Sequence, residues 1–119
     1  VGLRALGWER GRIQTRVDEL LQRLRLDALA DANPFTLSGG QKRRLSVATL
    51  VATSPRVLVL DEPTFGQDRR SWSDLVTLLA EMRAEGTTLV SVTHDAEYIA
   101  ALGDREWALT PRTAEGAAA

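Results

Sequence analysis

The chain has 119 residues, of which 44% are apolar and 26% are charged, and its formal net charge at pH 7 is −1. This composition is typical of an ordinary globular domain, and the near-zero charge provides no overall field that would attract nucleic acid or an anionic membrane. The chain has no cysteine, which excludes disulfides, thiolate metal sites and cysteine nucleophiles. No apolar run approaches the ~20 residues of a membrane-spanning helix.

The first predicted element is an amphipathic helix over about residues 12–25, after a glycine-containing loop over 1–12. Apolar residues recur there at spacings of three and four, with charged residues between them, which is the pattern of a half-buried helix. The following stretch, "DALADANPF", could hold a short helical turn. Pro34 disfavours a helical conformation at Asn33, so we expect the chain to be extended or turning there.

The second predicted helix begins at Gly39 or Gln41 and ends at Thr53, with Ser38 as its N-cap. Its predicted buried stripe consists of Leu45, Ala48 and Val51 or Ala52. Two glycines precede three cations, Lys42, Arg43 and Arg44, at the positive end of the helix dipole. Uncovered N–H groups at such a helix start favour phosphate, although a plain glycine turn is the alternative. For at least two of the three cations we favour a solvated helix face.

The remaining elements alternate between strands and helices. "VLVL", residues 57–60, is a short apolar run typical of a strand buried on both faces of a parallel sheet. A helix over 71–84 ends before Gly86, a strand covers 87–93, a helix covers 95–102, and "EWAL", residues 106–109, is a candidate last strand. This order predicts an α/β layer with a parallel sheet, followed by a disordered tail over 111–119. The aromatic side chains are predicted to serve packing: Trp72, Tyr98 and Trp107.

Candidate chemical groups follow both predicted strands directly. Asp61 and Glu62 come after the first strand, and His94, the only histidine, comes after the second. Ligands of open α/β sheets bind beyond the carboxyl ends of the strands, so these three side chains would share one edge. One carboxylate could hold Mg²⁺ and the other could orient a water molecule. The alternatives are a simple Asp-Glu-Pro turn, a histidine without function, and Asp95 as a helix cap.

The ordered series "LSGGQ", "VLVLDEPT", a loop ending in Asp68, and "SVTH" resembles the ATP-binding cassette (ABC) family of ATPases over residues 13–110. The resemblance places the family's signature motif, hereafter the signature segment, at Leu37–Gln41. It places the Walker B strand at Val57–Asp61, the catalytic carboxylate at Glu62, and the D-loop and H-loop residues at Asp68 and His94.

The resemblance also implies cofactors and a partner. ATP and Mg²⁺ would be bound between two cassettes arranged head to tail, with the signature segment of one covering the γ-phosphate held by the other. Asp61 would contact Mg²⁺ directly or through water, Glu62 would polarise the attacking water, and His94 would contact the γ-phosphate. The residues implied in binding are Ser38, Gly39, Gly40, Gln41 and, across the dimer interface, Asp68.

Two features depart from the family pattern. No glycine begins the phosphate-cradling sequence G-x-x-x-x-G-K-[ST], so the chain resembles the second half of a P-loop NTPase-type cassette. We expect a partial helical subdomain over 1–54, the back half of the ATPase core over 55–110, and weak or no hydrolysis by this chain alone.

Many members carry an alanine-leucine pair where this chain has Gly66 and Gln67. "DEPTFGQD" with "LSGGQKRRL" looks more like importers, especially cobalt and vitamin energy-coupling-factor systems.

Three functions are compatible with these residues. The first is the ATPase subunit of a membrane transporter, docked on a transmembrane subunit at the cytoplasmic face of the membrane. The second is a non-transport ABC ATPase acting on DNA or ribosomes, although the chain has no zinc cysteines and no sustained heptads. The third is a non-enzymatic half-cassette that serves as an interaction module. The first is favoured, with no nucleic-acid partner expected.

Overall fold

The computed structural model describes residue 7 and residues 9–27 and 36–111. Four helices and two strands lie in this part of the chain: α1 Arg10–Arg23, α2 Gly39–Val51, β1 Val57–Asp61, α3 Arg69–Ala84, β2 Thr88–Val92 and α4 Ala96–Leu102. The predicted α/β class is therefore confirmed. The predicted turn around Asn33 and almost all of the predicted disordered tail lie outside the described residues.

The two strands form a parallel pair in which Val57 is aligned with Thr88 and Asp61 with Val92. Both strands therefore end at the same edge, as the sequence predicts. The third strand predicted at 106–109 is wrong, because these residues are not in a strand and Leu109 is 88% exposed. The predicted packing role of Trp107 is wrong for the same reason, since its side chain is 80% exposed.

The prediction that β1 is buried on both faces is also wrong. Leu58 and Leu60 are buried at 3% and 4% exposure, whereas Val57 and Val59 are 56% and 64% exposed. The side chains of a strand alternate between faces, and the described helices cover only one face of this sheet. The uncovered side, hereafter the valine face, consists of Val57, Val59, Val90 and Val92.

The core lies on the covered side of the sheet, between the strands and the helices. Its central side chains have no exposed surface, and burying each contributes about 1.5–3 kcal/mol: Leu24, Val51, Leu75 and Leu79. Tyr98 is buried and Trp72 packs against the core, which confirms the predicted packing role of both. No described helix is both long enough and apolar enough to cross a membrane.

Short polar side chains set the helix starts. Ser38 and Asp95 cap α2 and α4 as predicted, and Asp68 caps α3, so that α3 begins two residues before the predicted residue 71. At the end of α3, Gly86 adopts φ +104°, a conformation that glycine takes without steric cost. Helix α1 begins at Arg10, slightly before its predicted start.

Candidate functional site

The sharp turn after β1 places Glu62 beside the end of β2. Glu62 has a left-handed backbone with φ +46°, and its N–H donates to the carbonyl of Val92 at 2.7 Å. The guanidinium of Arg43, on α2, donates to the carbonyls of Asp61 and Glu62 at 3.0 and 2.8 Å. Left-handed backbone costs roughly 1–2 kcal/mol in a residue with a Cβ, so these contacts hold a conformation that the chain alone disfavours.

The carboxylate of Glu62 is held by three donors from the segment after β2. His94 Nδ1 donates to Oε1 at 2.6 Å, the backbone N–H of His94 donates at 3.1 Å, and Thr93 Oγ1 donates to Oε2 at 3.2 Å. The hydrogen bond from the His94 ring is the main cause that lowers the pKa of Glu62. The His94 side chain is 97% exposed, so its other ring nitrogen is open to a ligand. The structure thus brings Glu62 and His94 together, as predicted from sequence.

Asp61 lies exposed at the carboxyl end of β1, next to this pair. Within the described ranges, no three acidic or histidine side chains converge into a metal-binding cluster. A single exposed carboxylate fits Mg²⁺ as one ligand among phosphate and water oxygens, which is how this ion is usually held in phosphoryl-transfer sites. The carboxylate of Asp61 therefore suits an ion that arrives with a nucleotide.

The start of α2 is closed by a reciprocal capping box. The backbone N–H of Gln41 donates to Ser38 Oγ at 3.1 Å, and the N–H of Ser38 donates to Gln41 Oε1 at 2.8 Å. The two glycines differ in their surroundings. A Cβ placed at Gly39 would meet no described atom within 4 Å, whereas one at Gly40 would lie 2.9 Å from the carbonyl oxygen of Gly66. Gly39 therefore faces open space, and Gly40 packs against the chain's own loop.

The prediction that at least two of the three cations of α2 lie on a solvated face is wrong, because Lys42 alone of the three does so. Lys42 is exposed, but Arg43 binds the turn after β1, and Arg44 is only 8% exposed. Arg44 donates to the carbonyl of Leu24 at 3.0 Å and to Gln67 Oε1 at 2.6 Å. A signal was available in the sequence, because Arg44 falls on the buried helical stripe four residues before Ala48.

Asp68 lies at the end of the loop after β1, and its carboxylate accepts the N–H of Ser71 at 2.8 Å. This backbone hydrogen bond is the main cause that lowers the pKa of Asp68. The side chain is therefore used as the N-cap of α3, a role that sequence reasoning missed. An Asp directly before the first residues of a helical pattern was the available signal.

Asp95 connects three elements around His94. Its Oδ2 accepts the hydroxyl of Thr64 at 2.6 Å and the indole N–H of Trp72 at 2.7 Å, while Oδ1 accepts the N–H of Tyr98 at 3.1 Å. The Thr64 hydrogen bond is the main cause that lowers the pKa of Asp95. Sequence reasoning assigned Asp95 only the capping role. The network fixes the residue after His94 against the loop after Glu62.

Acidic residues and a histidine lie beyond the carboxyl ends of the two parallel strands. This arrangement defines the class of α/β proteins that bind ligands at the carboxyl edge of the sheet. The sequence profile described as ABC transporter matches residues 4–65. The cobalt import ATP-binding protein CbiO of Rhodobacter capsulatus is 49% identical over 100 residues, which are 84% of this chain and 36% of that protein. The putative HMP/thiamine import ATP-binding protein YkoD of Bacillus subtilis is 46% identical over 91 residues, which are 76% and 17% of the two chains.

Solved structures of ABC cassettes are also similar to this chain. The dimeric structure of MJ0796, a bacterial ABC transporter cassette, matches with a TM-score of 0.71 and 29% identity, covering 79% of this chain and 41% of that one. The structure of cbiO1 from Clostridium perfringens matches with a TM-score of 0.58 and 40% identity, covering 74% and 36%. The chain belongs to the ABC transporter family, among its ATP-binding proteins. It spans less than half the length of these relatives.

Proposed function

We propose that this chain is part of the ATP-hydrolysing subunit of an ABC membrane transporter of the importer type, in which ATP drives two cassettes together head to tail. The observation that carries the proposal is the Glu62 carboxylate, which directly follows the Asp61 strand end and is bound by the ring of His94. Relatives named as cobalt, HMP/thiamine and methionine import ATP-binding proteins support the importer assignment.

The chemistry assigned to the pair is orientation of water and stabilisation of charge. Because the pKa of Glu62 is lowered, its carboxylate is ionised at neutral pH and accepts a hydrogen bond from the attacking water. The exposed ring nitrogen of His94 faces the γ-phosphate of ATP, to which it donates when the ring carries a proton on both nitrogens. Such positioning accounts for most of the catalysis in phosphoryl transfer, where the protein itself needs little covalent chemistry.

Asp61 is the residue proposed to hold Mg²⁺. When bound there, Mg²⁺ would neutralise charge on the phosphate oxygens. Asp61 would supply one oxygen ligand from the end of β1, and its exposed position leaves room for phosphate and water oxygens as the other ligands.

The start of α2 is proposed to meet the triphosphate held by the partner cassette. The positive end of the helix dipole and the open approach at Gly39 suit an anion. The binding residues proposed on this side are Ser38, Gly39, Gly40 and Gln41, with Asp68 crossing the dimer interface. The other proposed partner is a transmembrane subunit that holds the cassettes at the cytoplasmic face of the membrane, and no nucleic acid takes part.

The phosphate-cradling P-loop is not among the 119 residues. The domains proposed are a partial helical subdomain over 1–54 and the back half of the ATPase core over 55–110. The triphosphate cradle then has to come from residues outside this chain. We therefore expect weak or no hydrolysis by the 119-residue chain, and the test of function uses the intact protein.

The experiment compares ATP hydrolysis by the intact protein with that of Glu62→Gln and of the control Glu106→Gln. Glu106 is exposed and lies outside every described element, so its loss should leave the rate unchanged. We expect Glu62→Gln to reduce kcat on the order of 10²–10⁴-fold while ATP binding is retained. Hydrolysis by Glu62→Gln at the wild-type rate would contradict the proposal. ATP binding without hydrolysis by the wild type would favour the interaction module.

A further inference from the structure

We propose that Gln67 and Arg44 form a positioning bridge that couples the start of α2 to the loop between Glu62 and Asp68. This loop, residues 62–68, is hereafter the carboxylate loop. Neither residue touches the reacting atoms; the bridge acts through the signature segment on one side and Glu62 on the other. The inference rests on the proposed ATPase function, and its test is arranged so that the two can fail separately.

Both ends of the Gln67 amide are used. Its Oε1 accepts a hydrogen bond from the Arg44 guanidinium at 2.6 Å, and its Nε2 donates to the carbonyl of Gly40 at 3.1 Å. Arginine offers only donors and a carbonyl only accepts, so the amide fits in one orientation and not in the flipped one. Gln67 thus binds one turn of α2 at two points, Gly40 and Arg44.

Arg44 is also bound to a second part of the chain, at the end of α1. Its side chain is 8% exposed, and its Nε donates to the carbonyl of Leu24 just beyond α1. A hydrogen bond in which one partner is charged and largely buried is stronger than an exposed neutral one. Through Arg44, the bridge therefore connects Gln67 both to α2 and to the end of α1.

The backbones also touch at this point, which is an independent observation. A Cβ at Gly40 would lie 2.9 Å from the carbonyl oxygen of Gly66, closer than real Cβ contacts permit. Arg43, one residue before Arg44, holds the other end of the carboxylate loop through the carbonyls of Asp61 and Glu62. The first turns of α2 are therefore tied to both ends of this loop.

The consequence is a link between two ATP sites. In the proposed dimer the signature segment serves the nucleotide held by the partner, whereas Glu62 serves the nucleotide of its own cassette. Because the bridge fixes the distance between them, closure at one site positions the carboxylate at the other. A leucine at residue 67, as many family members carry, would fill similar volume without either hydrogen bond.

The test measures ATP hydrolysis by the intact protein carrying Gln67→Leu, with Gln22→Leu as the matched control. Gln22 is exposed on α1, so the same substitution there leaves the bridge untouched. We expect Gln67→Leu to lower kcat ~10-fold, the value of a hydrogen bond to a charged group, with KM for ATP changed by less than about twofold. A merely structural role would lower the unfolding temperature without this selective loss of kcat.

A double-mutant cycle with Arg44→Met identifies the partner. If the bridge is the cause, the double variant loses less than the product of the two single effects on kcat, because both substitutions break the Arg44–Gln67 contact, although each also breaks one contact of its own. Effects on kcat that multiply, or a kcat of Gln67→Leu within about twofold of Gln22→Leu, would overturn the inference. If Gln67→Leu does not fold, Gln67→Met replaces it: this variant keeps a flexible side chain of similar length and loses both hydrogen bonds, and an unchanged kcat would equally overturn the bridge.

Glu62→Gln separates the two proposals. A wild type that hydrolyses ATP and a Glu62→Gln variant that does not would support the proposed function, whatever residue 67 does. An unaffected Gln67→Leu variant in that setting removes only the bridge. A wild type without hydrolysis removes the proposed function itself.

Discussion

Replacing Asp95 with asparagine tests whether its carboxylate holds the chain together around His94. The carboxylate accepts three hydrogen bonds, and two of them come from donors that no other described atom accepts: the hydroxyl of Thr64 and the indole N–H of Trp72. Asparagine has the same shape but only one accepting oxygen. If that oxygen takes the position of Oδ2, its NH₂ group faces the N–H of Tyr98. If the amide is flipped, the NH₂ group faces Trp72.

In either orientation at least one donor loses its acceptor. Thr64 is 7% exposed, so water cannot easily replace the lost contact. An unsatisfied buried polar group costs about 1–3 kcal/mol, and we expect Asp95→Asn to lower the free energy of unfolding by that amount. This is a large fraction of the roughly 5–15 kcal/mol that stabilises a typical domain.

The assay is urea unfolding of the intact protein, with Asp18→Asn as the control. Asp18 is an exposed acceptor for the side chain of Gln14 at 2.8 Å, and asparagine can accept the same hydrogen bond. Surface substitutions of this kind usually change stability by less than about 0.5 kcal/mol. Equal unfolding free energies for the two variants would refute the reasoning. Faster amide exchange at Tyr98 in Asp95→Asn would locate the loss at the start of α4.

Three further predictions concern the pH dependence, the core and the backbone. Because the pKa of Asp95 is lowered in the folded state, its stabilisation is present above its ordinary value of 3.8 and lost as the pH falls through the folded-state pKa, so acid unfolding should be less steep in Asp95→Asn than in the wild type. Leu79→Ala, at a site with no exposed surface, should cost about 2–5 kcal/mol in urea unfolding, and a smaller loss would contradict the position of the core. Gly86→Ala should cost about 1–2 kcal/mol because φ is +104°, whereas Gly11→Ala, in open space on α1, should not destabilise; the order of their melting temperatures checks this.

The sequence predicts the elements whose signals are local. Helical periodicity gives α1, α2 and α3, and short polar residues at Ser38 and Asp95 give two of the helix starts. The order of strands and helices gives the parallel sheet and hence the shared edge of Glu62 and His94. These features follow from spacing alone, because a strand end and a helix cap are defined within a few residues.

The sequence-based predictions that proved wrong concern features that depend on residues distant in the sequence. "VLVL" reads as fully buried, but Val59 is exposed because the described helices cover only one face of the sheet. "EWAL" has strand-like residues but no described neighbour to pair with, and Trp107 stays exposed. Arg44 and Gln67 are 23 residues apart in sequence, so their hydrogen bond has no local signature. A hydrogen bond between polar side chains of two different elements can be identified only when the positions of both backbones are known.

The valine face also has a calorimetric consequence. Unfolding raises the heat capacity mainly by exposing apolar surface, typically by about 12–15 cal/mol/K per residue. Val57, Val59, Val90 and Val92 are already between 48% and 64% exposed in the folded chain, so unfolding adds less new apolar surface at these positions than at covered strands. The curve of free energy against temperature should therefore be flatter for this chain than for a sheet covered on both sides. Because less new surface is exposed on unfolding, the unfolding free energy should also fall less steeply with urea concentration.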